Sequence, residues 1–123
     1  MKDLSWLRPG GGEMSEDEWN DARVHTIGLW MSGSAADLTE DDEKPVVDHT
    51  LVILMNADEA ACDFRLPTAG SAGRWTTLLD TALPNEPAGS RRYRGGGRYP
   101  LAGRSMAILA HPSRSRLAEL RER

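Results

Sequence analysis

No uninterrupted apolar run in this chain exceeds five residues, the length of Leu51-Val52-Ile53-Leu54-Met55, and prolines, glycines and clustered acids separate the apolar segments. A membrane-crossing helix needs about 20 consecutive apolar residues, so no helical span fits and no membrane partner is expected. Runs of this size suit strands. From Val24 to Met31 the chain alternates, with Ile27, Leu29 and Met31 on one face and Val24, Thr26 and Trp30 on the other. Thr50 to Asn56 is rich in β-branched and aliphatic residues, which predicts a central strand buried on both faces. Cys62, Phe64 and Leu66 alternate with Asp63 and Arg65, and Pro67 closes the segment. The turn residues Asn56-Ala57-Asp58-Glu59 predict that these two strands form a hairpin. Trp75 to Thr81 reads as a strand with Trp75, Thr77 and Leu79 on one face. Tyr99 to Leu101 and Ser105 to Ala110 are the last two strands, parted by a turn at Gly103.

Helix signals are few. Leu4-Ser5-Trp6-Leu7 is stopped by Pro9 and the run Gly10-Gly11-Gly12. Ser15 and Glu18 then have the spacing of a capping box, which predicts a short helix carrying Trp19. Residues 32 to 45 contain the acid run Glu40-Asp41-Asp42-Glu43 and read as an exposed loop, as does the small-residue stretch ending at Gly73. Residues 82 to 97, rich in Pro, Gly and Arg, read as a long surface connection in which Tyr93 pairs briefly. After Pro112, Leu117 and Leu120 predict a short helical tail. The expected fold is therefore all-β: an antiparallel β-sandwich of about six to eight short strands, with a short N-terminal helix and a C-terminal helical tail. Three parts are expected: residues 1–22 as an N-terminal strand, glycine turn and helix, residues 23–111 as the sandwich, and residues 112–123 as a charged tail.

The chemistry-bearing residues are dispersed. A net charge of −4 over 123 residues hides an uneven distribution: residues 1 to 63 hold 15 acids and 4 bases, residues 64 to 123 hold 4 acids and 11 bases. The two halves attract one another, and neither a general nucleic-acid binder nor a membrane-surface protein is the default. His25, His49 and His111 lie in three segments without metal-ligand spacing, and no nucleotide-binding or nucleophile motif occurs. No cofactor, metal or catalytic residue is expected. The single Cys62 can form no internal disulfide, so it reads as core packing in a reducing, cytoplasmic setting. The arginines of residues 91 to 98 admit a nucleic-acid reading, but one unrepeated patch on an acidic chain reads better as a surface loop. Four tryptophans are the more informative excess. Trp30 and Trp75 fall in strand patterns and are expected in the core, whereas Trp6 and Trp19 flank the glycine turn, in a segment too irregular to bury both.

The run Asp3-Leu4-Ser5-Trp6-Leu7-Arg8-Pro9, followed by Gly11, Glu13-Met14, Asp17-Glu18 and Trp19, resembles the segment after the catalytic barrel in bacterial glycogen debranching enzymes of the isoamylase type. Leu51 to Asn56-Ala57, Phe64-Arg65-Leu66-Pro67, Trp75 to Thr81-Ala82 and Gly103-Arg104-Ser105 resemble four further motifs of that family, in the family's order, from about residue 3 to residue 110. Gly10 departs from the pattern, standing where the family commonly has Asp. The resemblance implies the C-terminal β-sandwich of an α-1,6-glucosidase that removes branches from glycogen or limit dextrins, non-catalytic by itself and stabilising a catalytic α/β barrel. Trp6, Met14 and Trp19 are then the candidate domain-interface residues. An independent glycan-binding module, contacting glycogen or another α-glucan through coplanar exposed aromatics, is the alternative.

Overall fold

A computed structural model describes residues 4–32, 49–68 and 74–112. Its elements are β1 (Leu4–Leu7), α1 (Glu16–Trp19), β2 (Thr26–Met31), β3 (His49–Asn56), β4 (Cys62–Arg65), β5 (Arg74–Asp80), β6 (Arg92–Arg94), β7 (Arg98–Leu101) and β8 (Ser105–Pro112). They form a six-stranded sheet in the order β1-β2-β3-β8-β5-β6 and a two-stranded sheet of β4 and β7. Every pairing is antiparallel. The all-β sandwich expected from the sequence is the fold observed. The loop expected over residues 32 to 45, from residue 33 onward, the stretch before Gly73 and the helix after Pro112 lie outside the described residues.

The core lies between the two sheets. Val52, Leu54, Trp75, Ala107 and Leu109 face inward from the large sheet, and Phe64, Leu66, Tyr99 and Leu101 meet them from the other side, all essentially without solvent contact. Trp30 and Trp75 are core residues, as their strand positions predicted; their rings meet edge to face with centroids 6.0 Å apart. Gly28 faces the same core between Thr26 and Trp30, where a Cβ would lie 2.8 Å from the Phe64 ring. The missing side chain makes room for that aromatic.

Three expectations are corrected. β3 is central, but it is not buried on both faces: Val52 and Leu54 are buried, whereas Leu51, Ile53 and Met55 are only half-buried. Only one side of the sheet carries a second layer among the described residues. β3 and β4 do not form a hairpin, because β3 pairs with β2 and β8 while β4 pairs with β7. The turn after Asn56 instead carries the chain across to the other sheet. Buried Asn56 fixes that crossing by accepting from Thr26 Oγ1 (2.8 Å) and donating to the carbonyls of Ala60 (3.0 Å) and Ala102 (3.1 Å). Finally, Leu79 does not share a face with Trp75 and Thr77. A bulge between Thr77 and Leu79 shifts the register, turning Leu79 outward and Asp80 inward, since one inserted residue reverses the alternation.

Asp80 is thereby delivered into the seam between the sheets. The Tyr99 hydroxyl of β7 donates to its carboxylate, and Arg91 donates to the same carboxylate (3.4 Å), to the hydroxyls of Tyr99 (2.9 Å) and Tyr93 (2.7 Å), and to Glu86 (2.7 Å). Burial, reinforced by the bond to Asp80, pushes the Tyr99 phenol up to about 12. Burial opposes the Arg91 charge, yet the Glu86 bond and the tyrosine contacts raise its pKa overall. This polar cluster joins the small sheet to β5 and fastens the connection that follows Asp80.

Candidate functional site

Residues 4–20 bring the three sequence-predicted interface residues to one border. β1 is an edge strand whose free side is met by the returning chain. Arg8 N–H donates to the Gly12 carbonyl (3.0 Å), Leu7 and Glu13 form a bridge, and Met14 N–H donates to the Trp6 carbonyl (2.9 Å). Gly11 and Gly12 have φ of +111° and +88°, a region that glycine enters without steric cost. Glycine is thus required at these two positions. Gly10 is different: a Cβ there would meet nothing within 4 Å, so its departure from the family's Asp imposes no clash.

Because Met14 lies beside Trp6 on the edge, the two share the side of the sheet away from the core. Ser15 then caps α1: its hydroxyl accepts from Glu18 N–H (3.2 Å), and the Glu18 carboxylate accepts from Ser15 N–H (2.8 Å). The Ser15 backbone bond, followed in effect by Arg8, holds the Glu18 carboxyl below the usual range. The capping box was legible from S-x-x-E, and its consequence is to aim Trp19 back at β1. The Trp6 and Trp19 rings meet at 5.3 Å with an interplanar angle of 84°. Trp19 remains 48% exposed, and Trp6 and Met14 are half-buried. Perpendicular rings favour packing into a protein surface over a flat stacking platform for a sugar.

Elsewhere the described residues offer little for catalysis. No group of three or more His, Cys, Asp or Glu side chains among them converges to hold a metal ion. The buried Asp80 carboxylate is engaged by Tyr99 and Arg91, and Glu86 by Arg91. A shallow, mostly apolar hollow lined by Met55, Thr81, Arg104 and Met106, among others, contains no carboxylate. Burial, with help from Asp63 and Asp58, pushes the Cys62 thiol up, away from its nucleophilic form. In the arginine-rich connection Arg91 turns inward to the seam, while Arg92, Arg94 and Arg98 remain exposed. No helix of the described residues is long and apolar enough to cross a membrane.

Sequence reasoning missed the apolar breadth of the sheet's outer side, which Trp6 adjoins through its register partner Leu29. The signal was present in β2 and β3, whose two faces are both apolar, but it read as burial within the domain.

The sequence profile of a family described as "Isoamylase, C-terminal" matches residues 3–110. The chain is 30% identical over 89 residues to the "Glycogen operon protein GlgX homolog" of Mycobacterium tuberculosis (strain ATCC 25618 / H37Rv), a match covering 72% of this chain and 12% of that protein. The homologue of the same description in Mycobacterium bovis matches to the same extent. An "Isoamylase" of Flavobacterium sp is 27% identical over 117 residues, covering 89% of this chain and 14% of its own length. The chain thus corresponds to a small part of each relative.

Proposed function

We propose that this chain, which belongs to the isoamylase C-terminal domain family, acts as the accessory β-sandwich of a glycogen debranching enzyme, an α-1,6-glucosidase acting on glycogen or limit-dextrin branches. It contributes no catalytic group itself and stabilises the catalytic α/β barrel of the parent enzyme in the cytoplasm. The names of its relatives support the enzyme class, and the observation that carries the accessory role is the Trp6, Met14 and Trp19 border. Two tryptophans in edge-to-face contact, one of them half-exposed, form an aromatic anchor of the kind interfaces favour. In this reading residues 1–22 are the junction to the barrel, residues 23–111 the supporting sandwich and residues 112–123 a charged tail.

The test compares residues 1–123 with the complete polypeptide that contains them, on a glycogen limit dextrin. The complete polypeptide is expected to release linear chains, and residues 1–123 none. Trp6→Ala with Trp19→Ala should lower the temperature at which the complete enzyme loses activity, with little change in kcat before that point. Release of chains in proportion to residues 1–123 alone would overturn the reading. Retention of residues 1–123 on glycogen, abolished by the same two substitutions, would replace it with a glycan-binding module.

A further inference from the structure

We infer that the arginines gathered at one corner of the sandwich form a binding site for phosphate monoesters. The inference goes beyond the accessory-domain reading and does not depend on it.

In sequence, residues 91 to 98 are one unrepeated arginine patch; the fold divides that patch and enlarges it. Arg91 turns inward to the seam, while the strand register brings in Arg74 and Arg65 from other segments. Arg74 stands directly opposite Arg94 where β5 pairs with β6, and Arg65 directly opposite Arg98 where β4 pairs with β7. All four are exposed, as is Arg92. The turn Gly95-Gly96-Gly97 joins the two pairs and puts no side chain between them. Gly97 N–H donates to the Arg94 carbonyl (3.0 Å). Leu66, the residue after Arg65, accepts from Gly96 N–H (2.9 Å) and donates to the Gly97 carbonyl (2.8 Å). Backbone bonds alone therefore fix both pairs around one corner.

Their charges are unanswered. The arginine ion pairs of the described residues engage Arg8, Arg23, Arg91 and Arg104. Among the described residues no carboxylate pairs with Arg65, Arg74, Arg92, Arg94 or Arg98. Asp63 shares the outside of the small sheet with Arg65, but it stands opposite Pro100 and forms no ion pair among these residues. Like charges directly opposite one another destabilise a sheet, so two such pairs carry a cost that a bound anion relieves. Charge on an edge strand also guards against pairing with other chains, which accounts for Arg92 and Arg94 on β6. It does not account for Arg74, whose strand is paired on both sides, nor for Arg65 facing Arg98.

The chemistry of the corner selects the anion. Guanidinium is a planar fork that binds phosphate oxygens two at a time. A phosphate monoester brings up to two negative charges and three acceptor oxygens, enough to engage both members of a pair. A folded protein partner would need an aromatic or aliphatic anchor at the centre of its interface, whereas the arginines here are bordered by the glycine turn, Thr68 and Thr76. A nucleic-acid strand would need an exposed ring for its bases, whereas the Tyr93 ring packs against Tyr99 with centroids 4.8 Å apart. Two carriers share the favoured chemistry: free sugar phosphates, and phosphate esters borne on a glucan chain.

Calorimetric titration of residues 1–123 tests this at one fixed ionic strength. The probes are glucose 6-phosphate, a phosphorylated maltodextrin, and the same maltodextrin after phosphatase treatment. At least one phosphorylated probe should bind and the dephosphorylated one should not. Tighter binding of the phosphorylated maltodextrin would identify esters on a glucan as the ligand; glucose 6-phosphate binding as tightly or more so would identify free sugar phosphates. Arg65→Gln with Arg98→Gln, and separately Arg74→Gln with Arg94→Gln, should each weaken binding about tenfold. Arg65→Lys with Arg98→Lys keeps the charge, loses the fork, and should still weaken it several-fold. Arg23→Gln, at a residue already paired with Asp21, should leave binding unchanged. The bound probe should also raise the urea midpoint of the unsubstituted chain, and raise it less in the glutamine variants, whose own folding the same measurement checks. Failure of both phosphorylated probes to bind, equal binding of the dephosphorylated maltodextrin, or lysine variants binding as tightly as arginine would overturn the inference. So would tighter binding of a single-stranded oligonucleotide or an oligoglutamate peptide. Debranching is not the readout, so failure here leaves the proposed function standing, and failure of that function leaves the phosphate site standing.

Discussion

Leu54 and Ile53 are neighbours on β3, yet Leu54 is completely buried while Ile53, one residue earlier and on the opposite side, is only half-covered. The same contrast runs across the sheet. Inward, β2 offers Thr26, Gly28 and Trp30 to a layer that includes Phe64; outward, it offers Ile27, Leu29 and Met31 without a second sheet upon them. Hydrophobicity therefore separates a strand from a loop, but it does not reveal which chain covers each face. On the inner face packing is already realised within the described residues. On the outer face no second sheet lies upon the strands among the described residues.

The sharpest way to break this contrast is to truncate one side chain on each face. In residues 1–123, Leu54→Ala removes a fully buried side chain and should cost about 2.5–5 kcal/mol, through lost transfer energy and a residual cavity. Ile53→Ala removes an already half-solvated one and should cost about 1 kcal/mol, from the area argument alone. Urea unfolding measures both, with the midpoint moving and the slope constant. Equal costs in residues 1–123 would mean that this chain covers its own outer face.

Much of this architecture was legible. Period-two alternation located the strands and the inward tryptophans, and the S-x-x-E spacing located the Ser15 cap, because each depends on residues close in sequence. The Gly103-Arg104-Ser105 motif also has a local explanation. A Cβ at Gly103 would overlap the Glu59 carbonyl oxygen, Arg104 adopts φ +51° with its N–H bonded to Asp58 (2.8 Å), and Ser105 Oγ donates to Ala102 (2.7 Å). What escaped was non-local or off-period. Choosing β7 rather than β3 as the partner of β4 depends on the chain crossing between sheets. The bulge before Leu79 reverses a face without any special residue to announce it, and so turns Asp80 from a strand end into a buried anchor. Trp6, Met14 and Trp19 were grouped from the sequence, but it is the bridge at Glu13 that sets Met14 beside Trp6 and the capped helix that returns Trp19 to the same border.

The seam between the sheets gives a second, smaller effect specific to the inner side. Tyr99→Phe keeps the ring in the core and deletes a hydroxyl that bonds both Asp80 and Arg91. The expected loss is about 1.5–3 kcal/mol, as for a hydrogen bond to a charged group. Its pH dependence follows from the raised phenol pKa. Ionisation is harder in the folded chain, at about 12, than in the unfolded one near 10. The unfolded state therefore releases its proton first, and stability present below pH ~10 declines as pH rises toward 12. Tyr99→Phe should flatten that alkaline decline, measured as the urea midpoint at successive pH values. An unchanged slope would show that the seam does not hold the two sheets together.

The smallest effect belongs to the outer border. Ser15→Ala removes the hydroxyl that accepts from Glu18 N–H, and loss of such a cap costs about 1 kcal/mol. α1 spans only Glu16–Trp19 and buries no residue, so the cost should fall on the hairpin and spare the sandwich. Tryptophan emission should shift as Trp19 leaves Trp6, while the main unfolding midpoint moves only slightly. Glu18 supplies an independent reading of the same contact: the Ser15 backbone bond lowers its pKa, so the contribution is present above the unfolded value and disappears as pH falls through the folded one. Acid should therefore reproduce the emission change in the unsubstituted chain and add little in Ser15→Ala. Were Ser15→Ala instead to bring down the whole sandwich, Trp19 would have to count as inner packing, and the contrast between the covered inner face and the open outer one would fail at the β1 border.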